Sequence, residues 1–334
     1  MNFTQIFFAS AAISAASIFA AIKIFPRIWL LDFPEKYGLQ RARLPFPGGL
    51  VFLILAGGIF FDENFLVLFF PLLILGILSF IDDRRPLPAI LRLFFQIAVA
   101  AAIFFGGVKI SFFGNPFAIF FENISENFEL AQFPLFSFLL TIFWILSIQN
   151  AMNFFDGAPG LAVGVSAVGF LTLGILGIAR PELFFDPSQK NLIAANFFLA
   201  GICAGGFYFF WRQKIILGDT GSQILGFLLA AMSIFSGAKI ATTFLVLAPP
   251  ILDAFFVIFR RIFFEKKSPF RGDLRHLHHN LSRKISEKSA VILLIFLSAI
   301  FGAIAIFLQN FSKLIALIFA AIFVFCLNFW AQKK

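Results

Sequence analysis

Long apolar runs separated by short polar or charged segments make up most of this chain. Cut at charges and turn residues, the runs fall at roughly 4–26, 47–61, 65–81, 88–107, 132–149, 157–178, 191–211, 221–237, 240–259, 290–308 and 312–330. A helix needs about 20 apolar residues to cross the hydrocarbon core of a bilayer. The pattern therefore predicts an all-α, polytopic transmembrane helix bundle of about 11 spans, forming a single domain over residues 1–334.

Composition supports a membrane protein. Of the 334 residues, 60% are hydrophobic and only 13% are charged, whereas soluble domains carry about 25% charged residues. The N-terminal MNFTQIFFAS has no basic segment, which favours a retained first helix over a cleaved signal peptide. Cys203 and Cys326 both lie inside apolar runs, so a disulfide or a cysteine metal motif has little support.

The distribution of positive charge predicts the orientation. If the N-terminus is outside and the loops alternate, 20 of the 26 lysines and arginines fall in cytoplasmic segments and five in outer ones. Cytoplasmic loops carry the excess of Lys and Arg. The sequence thus predicts the N-terminus out and the C-terminus in, with a long basic cytoplasmic loop at 260–289. The same topology places the polar motifs on the cytoplasmic face.

The first of these motifs is Asp82-Asp83, at the end of the third run in ILSFIDDRRPLP. Adjacent carboxylates repel each other unless a cation intervenes. That cation could be a neighbouring arginine, a metal ion or a counterion of a phosphate-bearing substrate. The alternative is a simple cap at the start of the next helix.

Two further motifs combine carboxylates with amides and glycines. In NAMNFFDGAPGLAVG, the spacing of Asn150, Asn153 and Asp156 puts all three on one helical face. Their oxygens suit Mg²⁺, and the following helix N-terminus suits a phosphate. A polar turn is the alternative, but it does not require amides on one face. In KIILGDTGSQ, Asp219 lies among glycines and is either a ligand or a helix cap.

All three histidines lie in one basic segment, RGDLRHLHHNLSRK, at 271–284. Imidazolium and guanidinium groups both donate to phosphate oxygens, which predicts an anion site. Zinc is less favoured because HxHH lacks the usual ligand spacing, and a basic loop held against anionic lipid is a third interpretation. Asp253, in APPILDAFFVIFRR, is expected inside the membrane, where it serves function or bonds a neighbouring helix.

Acids, amides and cations on one membrane face suit an enzyme that joins a nucleotide-activated substrate to a lipid phosphate. Mg²⁺ would screen the phosphates and a carboxylate would remove a proton. A transporter with intramembrane acids is the main alternative, and it predicts acids spread through the depth of the bilayer.

Four segments in order resemble one family. They are Asp82-Asp83 with Gln96 downstream, NAMNFFDG, KIILGDTGS, and PILDAFFVIFRR followed by SPFRGDLRHLHHNL. From about residue 30 to 310, the chain resembles the polyprenyl-phosphate N-acetylhexosamine-1-phosphate transferase family (glycosyltransferase family 4). The HLHH form resembles the undecaprenyl-phosphate GlcNAc-1-phosphate transferase-like branch, which starts O-antigen, teichoic acid or common-antigen lipids.

The resemblance implies transfer of an N-acetylhexosamine-1-phosphate from a UDP-sugar, such as UDP-GlcNAc, to undecaprenyl phosphate with loss of UMP. It implies Mg²⁺, with Mn²⁺ possible, a multi-pass location in the bacterial inner membrane, no nucleic-acid partner and a possible homodimer. It leaves open the sugar, the glycan pathway, and whether attack is direct or through a covalent intermediate.

The resemblance also assigns residues. The implied roles are catalytic for Asp82, Asp83, Asp156 and Asp219, metal-binding for Asn153, Asp156 and Asp219, and substrate-binding for Asn150, Lys214, Arg275, His276, His278 and His279.

The chain departs from the family pattern at a few positions. Pro159 stands where the family has a second Asp, and Phe209 stands where an asparagine is common. Gln40 and Arg41 replace basic or histidine residues before the Gly48-Gly49 pair. None of these changes removes one of the main carboxylates, so activity is expected, and an altered sugar or nucleotide preference is left open. A catalytically silent paralogue that only binds lipid phosphate is the alternative.

Overall fold

Helices account for almost all regular structure in the protein. The computed structural model describes residues 2–37, 42–115, 127–130, 132–181, 189–237, 239–268 and 275–332. In these ranges the α-helices are α1 (Phe3–Ile24), α2 (Gly49–Ala56), α3 (Phe69–Arg84), α4 (Ala89–Phe105), α5 (Pro134–Phe155), α6 (Leu161–Ala179), α7 (Gln189–Trp211), α8 (Gly218–Phe235), α9 (Ile240–Val246), α10 (Ala248–Phe259), α11 (Leu277–Lys284), α12 (Glu287–Phe307) and α13 (Asn310–Gln332). One short antiparallel hairpin, β1 (Phe112–Gly114) with β2 (Asn127–Glu129), lies between α4 and α5.

The sequence correctly predicts an all-α polytopic membrane protein. Each of the eleven apolar runs contains helix, and seven described helices are long and apolar enough to cross a bilayer. An eighth span is present if the bent pair α9–α10 counts as one. The apolar helices Gly49–Phe61 and Ala89–Phe105 are shorter, so the count of about 11 spans and the orientation stay predictions.

The run at 240–259 is broken, whereas its apolar pattern predicts one helix. The axes of α9 and α10 differ by 81°. Pro249 and Pro250 stand at the start of α10, and a proline lacks the N–H that would continue the hydrogen bonds of α9. A helix end therefore lies inside an apolar segment.

The region predicted as a long basic loop, 260–289, is partly helical. A π-helix at Arg260–Phe264 continues α10, and α11 and the first residues of α12 fall in the same stretch. Residues 269–274, which include part of the predicted histidine segment, lie outside the described residues.

Helix α8 is the central element of the bundle. All of its residues except Asp219 and Phe235 are buried, and it packs against α2, α3, α5 and α6. By contrast, only 22% of the residues in the most apolar stretch of each of α1 and α13 are buried. Such low burial suits helices that face lipid. The polar first turn of α8 is therefore surrounded by the ends of its neighbours.

Candidate active site

The Gly218-Asp219 motif is placed by a backbone ladder to the segment before α2. The N–H groups of Gly48 and Gly49 donate to the carbonyls of Ile216 and Leu217 at 2.6 and 2.9 Å. A Cβ on Gly49 would lie 2.1 Å from the backbone nitrogen of Gly221. The two backbones approach so closely that only glycine fits at this crossing.

Asp83 fastens α3 to the N-terminus of α8. Its Oδ1 accepts the backbone N–H of Asp219 at 2.8 Å, and its Oδ2 accepts the N–H and hydroxyl of Thr220. These N–H groups belong to the first turn of α8, where the helix itself offers no acceptor. Asp83 is thus a carboxylate cap supplied by another helix, and the helix dipole favours its negative charge there.

Asp82 lies beside Asp83 in sequence but has different partners. Its Oδ1 accepts the N–H of Leu87 at 2.6 Å, and its Oδ2 lies 3.2 Å from Arg92 Nη1. The same guanidinium is 3.5 Å from Asp219 Oδ2. Arg92 therefore stands between two of the predicted catalytic carboxylates.

Arg92 is a site residue that the sequence analysis missed. The available signal was a lone arginine in an apolar run, four residues before Gln96 and so on the same helical face. Gln96 Nε2 donates to Gln223 Oε1 at 2.9 Å, and Asn150 Nδ2 donates to Gln96 Oε1 at 3.2 Å. This face of α4 joins α5 and α8 at the site.

Asn153 and Asp156 are brought to Asp219 from the end of α5. Asn153 Nδ2 donates to Asp219 Oδ1 at 2.8 Å and to Ser222 Oγ at 3.0 Å, so Oδ1 is the Asn153 atom that could ligate a metal. The backbone N–H of Gly218 donates to Asp156. Asn153 in the last turn of α5 and Asp156, the C-cap that follows it, therefore both reach the first turn of α8.

The four aspartates at 82, 83, 156 and 219 form one electronegative cluster, with Arg92 as the cation bonded to two of them. The pKa of the Asp156 carboxyl is raised well above its usual range. Burial is the main cause, and repulsion from Asp219 and Asp83 adds to it. Like charges so close together favour either a proton or a bound cation.

The chemistry of the cluster fits Mg²⁺. Among the described residues, no three histidine, cysteine, aspartate or glutamate side chains form a ready-made metal site. Mg²⁺, however, is usually held by one or two carboxylates together with substrate phosphates and water. Hard oxygens of Asn153, Asp156 and Asp219 beside excess negative charge meet that requirement, while the metal assignment itself stays a prediction.

A buried hydrogen bond between a carboxyl group and an imidazole holds the histidine segment. Asp253 is fully buried, its Oδ2 lies 2.8 Å from His276 Nδ1, and its Oδ1 accepts the N–H of Leu277 at 2.9 Å. The sequence left two roles open for Asp253, a functional group inside the membrane or a bond to a neighbouring helix. The structure shows a bond, and its partner is the segment that contains all three histidines.

The histidine segment packs directly on the end of α5. The ring of His276 lies 4.8 Å from that of Phe154. His278 Nε2 would be 2.6 Å from a Cβ on Gly157, the residue after Asp156. The HLHH and N-x-x-N-x-x-D-G motifs, about 120 residues apart, therefore form one surface.

His278 differs from the cationic group expected from sequence. Burial, with repulsion from His279 and His276, holds the pKa of His278 well below its usual range. His278 is therefore a neutral imidazole at pH 7 in this structure. The substrate-binding role assigned to the three histidines stays a prediction.

The two remaining predicted substrate residues contact groups outside the acidic cluster. Arg275 Nη1 pairs with Glu265 Oε1 at 2.9 Å, and Arg260 and Lys267 pair with the same carboxylate. Lys214 lines a cavity whose wall includes Pro159 and none of the four aspartates. The structure thus does not bring Lys214 into the acidic cluster.

Phe209, the other departure from the family pattern, packs against the hydrophobic core. Its carbonyl accepts the N–H of Lys214 at 2.9 Å. Gln40 and Arg41 lie outside the described residues.

The fold and the site together define a polytopic membrane protein with a cluster of four aspartates at one end of its helix bundle. Comparison with known sequences identifies the family. The model of glycosyl transferase family 4 matches residues 65–237, which is more than half of the chain. This match includes the Asp82-Asp83, NAMNFFDG and GDTGS motifs.

Curated relatives extend the match. A protein from Bacillus subtilis (strain 168) named "Probable undecaprenyl-phosphate N-acetylglucosaminyl 1-phosphate transferase" is 31% identical over 303 residues, covering 86% of this chain and 80% of its own length. A "Decaprenyl-phosphate N-acetylglucosaminephosphotransferase" from Mycobacterium tuberculosis is 29% identical, covering 81% and 73%. An "Undecaprenyl-phosphate alpha-N-acetylglucosaminyl 1-phosphate transferase" from Escherichia coli O157:H7 is 26% identical, covering 86% and 79%.

The chain belongs to glycosyl transferase family 4. It is a membrane-embedded transferase enzyme, as its sequence resemblance implies.

Proposed function

We propose that this enzyme transfers an N-acetylhexosamine-1-phosphate from a UDP-sugar to undecaprenyl phosphate and releases UMP. The product would be the first lipid-linked intermediate of a cell-envelope glycan, such as an O-antigen of lipopolysaccharide or a cell-wall polymer. One observation carries the proposal: Asp82, Asp83, Asp156 and Asp219 converge beside the histidine segment at one end of an apolar bundle. The names of the curated relatives support the same reaction.

The residues divide the work by position. Asp82 takes the proton of the lipid phosphate onto its carboxylate, and Arg92 beside it balances the charge of the incoming phosphate. Asp83 holds the first turn of α8, which aims Asp219 at the site. His276, His279 and Arg275 donate to the phosphates of the nucleotide-sugar.

Asn153, Asp156 and Asp219 would hold the divalent ion. When bound, Mg²⁺ (or Mn²⁺) neutralises diphosphate charge and stabilises the departing UMP. Asn150 lies one helical turn before Asn153 in α5. Its hydrogen bond to Gln96 of α4 fixes the rotation of α5 and therefore the position of Asn153.

The site faces the cytoplasm in this proposal, with the N-terminus out and the C-terminus in. The excess of basic residues in the predicted inner segments supports that orientation. The bacterial inner membrane is the location, because a cytoplasmic face gives access to nucleotide-sugars and the acceptor is a membrane lipid.

The deciding experiment measures UMP release by purified protein with undecaprenyl phosphate, Mg²⁺ and each of several UDP-sugars. We expect turnover that stops with a chelator, returns with Mg²⁺, and falls by at least 100-fold in Asp82→Asn and Asp219→Asn. Glu129→Gln, an exposed acid in β2, is the matched control and should retain wild-type turnover.

The same assay separates the alternatives. A silent paralogue would bind undecaprenyl phosphate and release no UMP with any sugar. A transporter would need acids through the bilayer depth, whereas the buried acid of α10, Asp253, is bonded to His276. Unchanged turnover in both Asp→Asn variants would refute the residue roles.

A further inference from the structure

A cavity of about 310 Å³ opens at the end of the bundle that carries the aspartates. It lies where α7 ends and where α6 and α12 begin. Its wall includes Pro159, Trp211, Arg212, Lys214, Glu287 and Lys288. None of the acidic cluster contributes to the wall.

The wall of the cavity is positively charged. Arg212, Lys214 and Lys288 oppose the single acid Glu287, and none of these three cations forms an ion pair with a described carboxylate. The N-terminus of α12, capped by Ser286, adds the positive end of a helix dipole. Such a wall recognises an anion.

Trp211 supplies an amphipathic surface in the same cavity. Its ring stacks on Phe207, with centroids 6.2 Å apart, and Lys288 Nζ lies 5.8 Å from the ring centre. Its Nε1 is buried and has no hydrogen-bond acceptor within the described part of the chain. A tryptophan with an apolar body and a polar tip is typical of the headgroup level of a bilayer.

The cations lie one helical turn beyond surfaces that face lipid. Tyr208 is 56% exposed and lies four residues before Arg212, toward the middle of α7. Ile292 is 55% exposed and lies four residues after Lys288, toward the middle of α12. Residues four apart share a helical face. A molecule whose phosphate contacts the cations would lay its chains along Tyr208 and Ile292.

We propose that this cavity binds the phosphodiester headgroup of an anionic phospholipid. Arg212 and Lys288 contact the phosphate oxygens, the ring of Trp211 packs beside the headgroup, and the acyl chains follow the exposed flanks of α7 and α12. Basic cavities between transmembrane helices are typical sites for anionic headgroups. The proposed contacts do not include Lys214, the wall residue to which the resemblance assigns substrate binding.

The test uses the full chain purified in detergent and measures binding of phosphatidylglycerol by native mass spectrometry, with phosphatidylcholine as the neutral lipid. We expect specific binding of phosphatidylglycerol, weakened about 30-fold in Arg212→Gln/Lys288→Gln, since each of the two cations near a lipid phosphate contributes about fivefold. Arg27→Gln/Arg283→Gln removes two exposed cations outside the cavity and should bind as wild type.

Trp211→Phe keeps an aromatic ring but replaces the larger indole, including its N–H, by a phenyl ring, so it provides a milder second variant. It should weaken phosphatidylglycerol binding about fivefold, because less ring surface contacts the headgroup. The proposal is overturned if phosphatidylcholine binds equally well, or if both cavity variants bind phosphatidylglycerol as wild type does. It is also overturned if millimolar inorganic phosphate displaces the lipid completely, or if the double variant raises the KM for the UDP-sugar while its lipid binding is intact.

Discussion

At the residue scale, Asp82 and Asp83 show how neighbours in sequence take separate roles. Consecutive side chains on a helix point about 100° apart. Asp83 turns toward the first turn of α8, whereas Asp82 turns toward Arg92. The sequence identifies the acidic pair, but only the position of α8 distinguishes its two members.

This difference predicts that Asp83→Asn destabilises the protein more than Asp82→Asn. In Asp83→Asn, one backbone N–H of α8 would face the new amide group and lose its acceptor, which costs about 1–3 kcal/mol. Thermal unfolding in detergent should show a lower Tm for Asp83→Asn. Asp82→Asn can keep its Oδ1 on the N–H of Leu87 and loses only the contact with the partly exposed Arg92, so its Tm should fall less while turnover is lost. Equal Tm values for the two variants would contradict the capping role.

Asp253 allows a second test at this scale. The hydrogen bond of one imidazole nitrogen fixes which nitrogen carries the proton, and Asp253 bonds His276 Nδ1. Asp253→Asn preserves the volume and the bond to Leu277 but reverses the preferred tautomer of His276. We expect kcat to fall at least tenfold, with little change in Tm.

The control for this experiment is Asp253→Ala, which also leaves the N–H of Leu277 without its acceptor. It should lower both kcat and Tm. If Asp253→Asn keeps full turnover, Asp253 is only a structural bond.

At the scale of elements, the polar motifs meet because α2 and α8 cross at contact distance. Gly49 and Gly221 face each other there, and Gly218 has a positive φ of 79°. The sequence shows glycines at both motifs. It does not show that the two glycine motifs touch each other, because their contact spans about 170 residues.

The crossing predicts opposite results for two glycine substitutions in one segment. Gly49→Ala places a Cβ 2.1 Å from backbone that cannot move aside, so we expect destabilisation of about 1–3 kcal/mol and a lower Tm. Gly57→Ala meets no atom within 4 Å and has helical backbone angles. Its Tm should be equal to or slightly above wild type. A Gly49→Ala protein as stable as Gly57→Ala would contradict the close crossing.

At the scale of the whole molecule, the bent pair α9–α10 decides the topology. Five apolar segments, beginning with α5 and ending with this pair, separate Lys109 from Arg283. If all five cross the membrane, the two residues lie on opposite sides.

Cysteine labelling tests this topology. In a chain with Cys203 and Cys326 replaced by alanine, we expect an impermeant maleimide to label Lys109→Cys in intact spheroplasts. Arg283→Cys should be labelled only in inside-out vesicles. Labelling of both from one side would show that one of the five segments does not cross.

The sequence by itself determined the class of this protein, the positions of its helices and the residues of its acidic and histidine motifs. Those features follow from local composition and spacing, since a bilayer accepts only apolar helices of sufficient length. It could not assign Asp83 as a cap, find Arg92 between Asp82 and Asp219, or foresee the neutral state of His278. Partners such as Asp253 and His276, and the burial that sets a pKa, depend on distant segments meeting, and only the tertiary structure decides which segments meet.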